Sequence, residues 1–360
     1  MKKNILILWL GVFGYAVACH LGRNNSKLHF YATEKNPEIF KKIQETREHP
    51  YFFTDIVLPE NIELVENADL RSLLQKTDII ISVIPCQFTD LAFREMKDFL
   101  KPWVMILNLS KGIDNQTLKT SSETLEEVLG TDFQISTNSL LNSWSHTSTN
   151  SLLNSLSFQE KEATTSKVYS YAYLAGGMIA EELVEWKKLW ADLVIARPVS
   201  WDRSHIGEYL KQLFHSETLD INLKIWNPKN TELAAALKNI VALILWYYEW
   251  QWAWASTLGY YFAKLTREMS GLIELLGNSE RIDFSDYAFS GDLIATCFGN
   301  SRNRLLGNML GKWMEIQEAL TELTAQKKIA EGYETLKWIK SLIEWKEGFE
   351  EIEKFSRKYL

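Results

Sequence analysis

Residues 4–21, NILILWLGVFGYAVACHL, set the fold class of the N-terminal half. The apolar run from Asn4 to Leu10 is typical of a parallel strand that is buried on both faces and therefore shows no polar alternation. Gly11 and Gly14 interrupt that run, and Tyr15 to Leu21 favours a helix. A strand, a glycine turn and a helix in this order predict the first unit of an open α/β sheet.

The glycine turn matches part of the dinucleotide-binding fingerprint G-x-G-x-x-G, whose glycines let the backbone approach a pyrophosphate. Gly11 and Gly14 supply two of the three glycines, and Trp9 stands in the place of the first. Glu34 follows a second predicted strand, 28–32, and an acidic side chain there can accept a hydrogen bond from a ribose 2′-hydroxyl. NAD or NADP is therefore the expected cofactor, with Glu34 favouring NAD, although an ordinary βα turn would carry the same two glycines.

Further apolar segments continue the sheet, at 79–84, 104–109, 168–174, 193–197 and 223–226. The carboxyl ends of such strands face the ligand crevice, which makes Pro85, Gln87 and Lys111 candidate site residues. A solvated loop lysine is the alternative for Lys111.

From Thr231 onward the sequence is helical almost throughout. We therefore predict an α/β protein with an N-terminal Rossmann-like doubly wound sheet at 1–228 and an all-α domain at 229–360. The Ser-, Thr- and Asn-rich segment 134–167 repeats STNSLLNS, which is typical of a surface insertion.

The chain of 360 residues has a formal net charge of −7, which argues against a general nucleic-acid binder. An anionic ligand therefore needs a local basic cluster. The three cysteines are scattered and match no zinc or disulfide spacing, so a reducing cytoplasm fits. We expect no metal site, no membrane span and no nucleic-acid partner.

A second informative stretch is 232–257, ELAAALKNIVALILWYYEWQWAWAST, which opens as a helix. Lys238 and Asn239 lie inside its apolar run. A surface lysine with a snorkelling stem would explain Lys238, and so would a catalytic amine whose pKa is tuned by burial. Downstream, Ser301-Arg302-Asn303-Arg304 forms a compact set that suits a phosphate, because guanidinium groups bind phosphate oxygens in pairs; a solvated helix start is the alternative.

These pieces, in this order, resemble the NAD(P)-dependent glycerol-3-phosphate dehydrogenases over nearly the whole chain. The resemblance is carried by the 11–14 turn, His49-Pro50-Tyr51 with 58–62, Ser110-Lys111-Gly112-Ile113, Leu174-Ala175-Gly176, Ala236-Leu237-Lys238-Asn239, Gly291-Asp292-Leu293-Ile294, 301–304 and Glu331-Gly332.

The resemblance implies that Lys238 is the general acid/base. It implies that the substrate is bound by Lys111, Gly176, Met178, Asn239, Asp292, Thr296, Ser301, Arg302 and Asn303. It implies that the cofactor is bound by Gly11, Val12, Phe13, Gly14, Glu34, Lys111, Ala180, Arg302 and Glu331. It further implies a homodimer that interconverts sn-glycerol 3-phosphate and dihydroxyacetone phosphate for phospholipid synthesis.

The chain departs from the family pattern in two ways. Single positions differ: Met178 replaces a serine or asparagine, Phe13 a tryptophan and Thr33 an arginine. Tryptophan also replaces glycine at Trp9, Trp186, Trp246, Trp250, Trp252, Trp254 and Trp313. The chain has 17 glycines, about 5%, where about 7% is usual.

One codon read under the wrong genetic code would produce such a pattern, and we predict glycine at these seven positions. If the tryptophans are native, the chain is instead a non-catalytic relative with a filled cleft. The β-hydroxyacid dehydrogenases, which share a Rossmann domain and a Lys-Asn pair, are a further alternative. The 301–304 cluster and Gly291-Asp292 argue against them.

Overall fold

The computed structural model describes residues 3–114, 116–130, 169–196, 204–251, 254–277, 283–326 and 328–360. The predicted insertion at 134–167 lies outside these ranges, as do Trp252 and the outer ends, Val168 and Arg197, of two predicted strands.

A single sheet of eight strands organises the N-terminal part, in the order β3-β2-β1-β4-β5-β6-β7-β8. Neighbouring strands run parallel except β6 and β7, so that the last two strands oppose the other six. The strands are β1 Ile5–Leu8, β2 Phe30–Thr33, β3 Ile62–Leu64, β4 Ile79–Ser82, β5 Met105–Asn108, β6 Ser170–Gly176, β7 Leu189–Ile195 and β8 Leu219–Ile225. The predicted doubly wound sheet is confirmed.

Helices cover both faces of this sheet, as the unbroken apolar strands require. In β1, Ile5 and Ile7 belong to one apolar cluster, whereas Leu6 and Leu8 belong to another on the opposite face. The helices of this part are α1 Val12–Asn24, α2 Pro37–Thr46, α3 Asn67–Leu74, α4 Thr89–Met96, α5 Ser121–Leu129, α6 Ala180–Val184 and α7 Ser204–Phe214.

The C-terminal part is built around helix α8, Pro228–Trp250, whose apolar side chains are almost all buried. A third cluster, which includes Leu237, Leu272 and Leu306, forms its core. The surrounding helices are α9 Ala255–Leu276, α10 Asp292–Phe298, α11 Arg302–Gly311, α12 Ile316–Ala325, α13 Glu331–Ile343 and α14 Glu350–Tyr359. A single π-helical turn, Tyr287–Gly291, leads into α10. None of the helices in the described ranges is both long enough and apolar enough to cross a bilayer.

Five tryptophans have a positive φ, a conformation that glycine adopts freely and bulky side chains resist. They are Trp9 (70°), Trp103 (69°), Trp186 (59°), Trp313 (68°) and Trp345 (66°). Only three other non-glycine residues of the described ranges do so, Arg47, Phe53 and Leu118. The backbone therefore favours glycine at three of the positions predicted from the sequence, and at 103 and 345 as well.

Candidate active site

Lys238 lies in the middle of α8 and is 4% exposed. Its ammonium forms an ion pair with the carboxylate of Asp292, the first residue of α10, which is 2% exposed. The apolar neighbours in α8 bury the lysine stem, and the carboxylate compensates for a charge that would be costly in isolation. The surface-lysine interpretation of Lys238 is therefore wrong.

Lys111 joins the same carboxylate from the loop after β5, with its Nζ 3.2 Å from Oδ1 of Asp292. The same ammonium donates to the carbonyl oxygens of Gly176 at 2.8 Å and Met178 at 3.4 Å. Gly176 ends β6 with φ of +157°, and a Cβ there would lie 2.6 Å from Cα of Ala191. Through these contacts, the carboxyl ends of β5 and β6 and the first residue of α10 lie close to Lys238.

The environment lowers the pKa of Lys238 to about 8. Burial is the largest cause, because it penalises the charged form. The positive charge of Lys111 lowers the pKa further, whereas Asp292 raises it. The two lysines and one carboxylate therefore poise an amine that can change protonation near neutral pH.

A chain of hydrogen bonds begins at the residue that follows Lys238. Asn239 accepts a hydrogen bond from Nδ2 of Asn303 at 2.9 Å, and Oδ1 of Asn303 accepts from the backbone N–H of Gly332 at 2.8 Å. Ser301 caps α11, with its Oγ accepting from the N–H of Arg304 at 3.1 Å. Thr296 donates to the carbonyl of Asp292 at 2.7 Å.

Arg302 and Glu331 form an ion pair at 2.6 Å, and both side chains are about half exposed. The neighbouring Arg304 makes other contacts. It donates hydrogen bonds to the carbonyls of Phe298 and Gly299, and its guanidinium lies 3.5 Å from the ring centroid of Trp246. Of the two arginines in the cluster, Arg302 is thus the one held beside a predicted cofactor residue.

The predicted cofactor turn lies at the carboxyl end of β1. Gly11 is extended at the start of α1 and has no side-chain cap, so the first N–H groups of the helix, from Val12 to Gly14, remain available to an anion. Phe13 is half-buried beside the sheet cluster, and Ala180 begins the short helix α6.

Beyond the turn lies a cavity of about 430 Å³, which reaches the ends of β2 and β4. The indole of Trp9 lines it and packs at 5.7 Å from Phe88. Glu34 does not line the cavity: its carboxylate accepts from the N–H of Asn36 at 2.9 Å, and the residue is 9% exposed. These contacts of Glu34 give no support to the preference for NAD inferred from the sequence.

Two residues near the site were missed by sequence reasoning. Glu232, also on α8, is fully enclosed and accepts hydrogen bonds from the N–H and hydroxyl of Ser122 and from the hydroxyl of Tyr171. Burial raises its pKa to about 7. A lone carboxylate in an otherwise apolar helix was the feature of the sequence that could have indicated Glu232. Trp190 packs its ring against Gly177 and Gly291, and no sequence signal marks it.

The chain is similar to family models that cover most of its length. Residues 4–139 match the NAD-dependent glycerol-3-phosphate dehydrogenase N-terminus, and residues 228–355 match the C-terminus of the same family. A glycerol-3-phosphate dehydrogenase [NAD(P)+] of Photorhabdus laumondii is 25% identical over 94% of this chain and 85% of the relative. An NADP(+)-dependent glycerol-3-phosphate dehydrogenase of Archaeoglobus fulgidus is 27% identical over 92% and 87%.

Solved structures share the fold. The glycerol-3-phosphate dehydrogenase of Coxiella burnetii superposes with a TM-score of 0.74 at 18% identity, over 100% of this chain and 96% of that one. The Saccharomyces cerevisiae enzyme gives 0.76 at 19% identity, with the same coverage. The matches of both halves, in order, show that the chain belongs to the NAD-dependent glycerol-3-phosphate dehydrogenase family.

Proposed function

We propose that the protein interconverts sn-glycerol 3-phosphate and dihydroxyacetone phosphate by hydride transfer with NAD(P), and that it supplies glycerol 3-phosphate for phospholipid synthesis. The observation that carries this reaction is the buried group of Lys238, Asp292 and Lys111. It places one proton-exchanging amine, with a pKa near 8, among residues that three separate elements hold in place.

Lys238 acts as the general acid/base. When the ketone is reduced, negative charge develops on its oxygen, and the protonated amine stabilises that oxygen and donates the proton. When the alcohol is oxidised, the neutral amine accepts the hydroxyl proton. Asp292 orients the amine, and burial, together with the charge of Lys111, keeps the pKa of Lys238 low enough for both forms to be populated near pH 8.

Arg302 and Asn303 hold the phosphate of the substrate. A guanidinium can bind two phosphate oxygens, and Asn303 is fixed by Asn239 and the N–H of Gly332. Fixing the phosphate also fixes the carbon that exchanges hydride. The pair between Arg302 and Glu331 links this group to the cofactor set.

The residues of the glycine turn fit a dinucleotide. Gly11 has open space beside its Cα, and a Cβ on Gly14 would collide with the carbonyl oxygen of Trp9, so the turn needs glycine there. The N-terminus of α1 would hold the pyrophosphate, and the bound nicotinamide would supply or accept the hydride. Trp9, with φ of 70°, fits the turn poorly, and glycine at this position would fit well.

We therefore propose glycine at the seven tryptophan positions named from the sequence. The chain with these seven changes to glycine is called the glycine chain, and the chain with tryptophan at the seven positions is called the tryptophan chain. Four of the indoles face solvent for about half of their area or more, Trp186, Trp250, Trp254 and Trp313, which is unusual for so large an apolar side chain.

The test compares both chains and measures reduction of dihydroxyacetone phosphate through the loss of reduced nicotinamide. The glycine chain should turn over. In it, Lys238→Met should lower kcat by about 100- to 10,000-fold, the usual contribution of a general acid, while cofactor binding persists. Lys229→Met is the matched control, because Lys229 lies on α8 but pairs with Glu123.

Full activity of Lys238→Met would contradict the mechanism. Equal nicotinamide binding by both chains in a titration would contradict the glycine assignment and leave the reaction standing. The homodimer and the cytoplasmic location implied by the family remain predictions, which light scattering and cell fractionation can test.

A further inference from the structure

The cavity beyond the cofactor turn has a positive lining that the reaction itself does not use. It is bounded by the ends of β1, β2 and β4, through Leu8, Thr33 and Ile84. In dinucleotide-binding folds the adenosine ribose lies at the end of the second strand, so this cavity is where a substituent on that ribose would project.

Two cations from different parts of the chain line the cavity. Lys35 follows β2, and its Nζ lies 5.9 Å from the ring centroid of Trp9. Arg71 comes from α3, and its guanidinium lies 4.9 Å from the ring centroid of Phe99. Neither cation joins an ion pair in the described part of the chain. Glu95 is the one carboxylate among the described residues of the lining, so these residues carry a net positive charge in a chain whose net charge is −7.

Glu34, which would repel a phosphate, does not line this cavity. Its carboxylate accepts from the N–H of Asn36, and the amides of Leu10 and Lys35 also stabilise it. A carboxylate that is occupied by its own loop and is 9% exposed is poorly placed to bind a ribose hydroxyl. Glu34, whose position in the sequence favoured NAD, therefore does not favour NAD through a contact with the ribose.

We propose that Lys35 and Arg71 bind the 2′-phosphate of NADP and make the protein select NADP over NAD. The phosphate oxygens accept from the ammonium of Lys35 and from the guanidinium of Arg71, and the ring of Phe99 restricts the arginine. This assignment rests on the dehydrogenase function proposed above, because it concerns the cofactor of that reaction.

The test uses a binding measurement that needs no turnover. Adenosine 2′,5′-bisphosphate and adenosine 5′-monophosphate are titrated calorimetrically into the tryptophan chain and the glycine chain. Both chains are used because Trp9 lines the cavity. The bisphosphate should bind at least about tenfold more tightly than the monophosphate, since charge-assisted hydrogen bonds to phosphate are strong. Added salt should weaken that preference.

Variants then assign the preference to residues. Lys35→Ala and Arg71→Ala should each lower the ratio of affinities by about 3- to 10-fold, and the double variant should bring it close to one without weakening the monophosphate. Lys35→Arg should retain the preference. Lys76→Ala is the matched control, because Lys76 is an exposed cation just after α3 that does not line the cavity.

Equal affinities in both chains, no binding of either nucleotide, or an unchanged ratio in the double variant would overturn the assignment. Kinetics distinguish it from the proposed reaction. Turnover of the glycine chain with NADH at least as efficient as with NADPH would contradict the NADP assignment alone. Bisphosphate preference without any turnover would contradict the reaction alone.

Discussion

The backbone of Gly311 lies so close to Trp250 that a Cβ on Gly311 would be 2.6 Å from the Cβ of Trp250. One turn earlier, a Cβ on Gly307 would be 3.0 Å from that of Trp246. Helices α8 and α11 therefore meet almost backbone to backbone, and the two indoles must leave the contact sideways. Trp246 is buried over Arg304, whereas Trp250 reaches Asn308 at 2.7 Å and stays 47% exposed. Glycines on α8 would complete a contact between small residues.

We predict that peptide mass spectrometry of the protein from its source cells will find glycine masses at the seven proposed positions. Positive φ adds Trp103 and Trp345 to the set. Trp190 and Trp338 should remain tryptophan, since neither is one of the seven positions where the family pattern has glycine and neither has a positive φ. Tryptophan masses at Trp9, Trp186 and Trp313 would refute the idea where the backbone supports it most.

Trp345→Gly should stabilise the protein by about 0.5–1 kcal/mol, because a left-handed conformation costs a bulky residue about 1–2 kcal/mol and glycine's flexibility returns part of it. Trp345 is 84% exposed, so little burial is lost. Trp338→Gly is the control. Inside helix α13 it should destabilise by about 1 kcal/mol or more. Urea unfolding measures both, and a loss of stability in Trp345→Gly would speak against glycine at 345.

The pH dependence of the two directions should be opposite. Reduction needs the protonated Lys238, so its kcat/KM should fall as pH rises through about 8; oxidation needs the neutral amine and should rise over the same range. Lys111→Met should move the midpoint to higher pH, because the Lys111 charge lowers the Lys238 pKa. Asp292→Asn should move it to lower pH. If both variants moved the midpoint in the same direction, Lys111 and Asp292 would not set the pKa of Lys238 as proposed.

Glu232 should make stability depend on pH between its ordinary pKa of 4.5 and about 7. Its folded-state pKa is raised, so its stabilising contribution is complete below pH 4.5 and is lost as pH rises through 7. The loss is on the order of 3 kcal/mol, at about 1.4 kcal/mol per pKa unit. Denaturant unfolding at several pH values should show this slope, and Glu232→Gln should remove it. The same slope in Glu232→Gln would mean that other groups cause the pH dependence.

Arg302→Ala should raise KM for dihydroxyacetone phosphate by about 10- to 100-fold with a smaller effect on kcat, since one charge-assisted phosphate contact is lost. The preference for the phosphorylated ketone over unphosphorylated dihydroxyacetone should fall in parallel. Arg357→Ala, which removes another exposed arginine from an ion pair, with Glu353, should change neither. An unchanged preference in Arg302→Ala would place the phosphate elsewhere.

The sheet was predictable because local apolar runs mark buried strands, whereas the lysine site was predicted from the resemblance to the family. Apolar strands and the order of the motifs placed β1, β4 and β5, together with Lys111, Lys238 and Asp292. The start of β7 was placed at Leu193 instead of Leu189, because Asp192 breaks the apolar run. That carboxylate is satisfied by Asn222 at 2.8 Å and the N–H of Ala288 at 2.6 Å, from distant parts of the chain.

The orientation of the Glu34 side chain could not be predicted from the sequence either. Its position after β2 suits a ribose, but the carboxylate turns toward the amides of its own loop, and that choice depends on three-dimensional packing. Helix α7 and the start of β8 were not predicted either, because polar residues such as Asp220 and Asn222 alternate along the exposed last strand.

The three cysteines are all buried, and burial raises the pKa of each thiol to about 12. Cys19 lies in one sheet cluster, Cys297 lies in the helical core, and Cys86 contacts Ser121 and the carbonyl of Gly112 between them. Thiolates are the reactive form, so alkylating reagents should be slow until a region opens. The three cysteines can therefore report on opening of the structure from within. Their alkylation rates, measured peptide by peptide, would show whether the sheet and the helical bundle open together or separately.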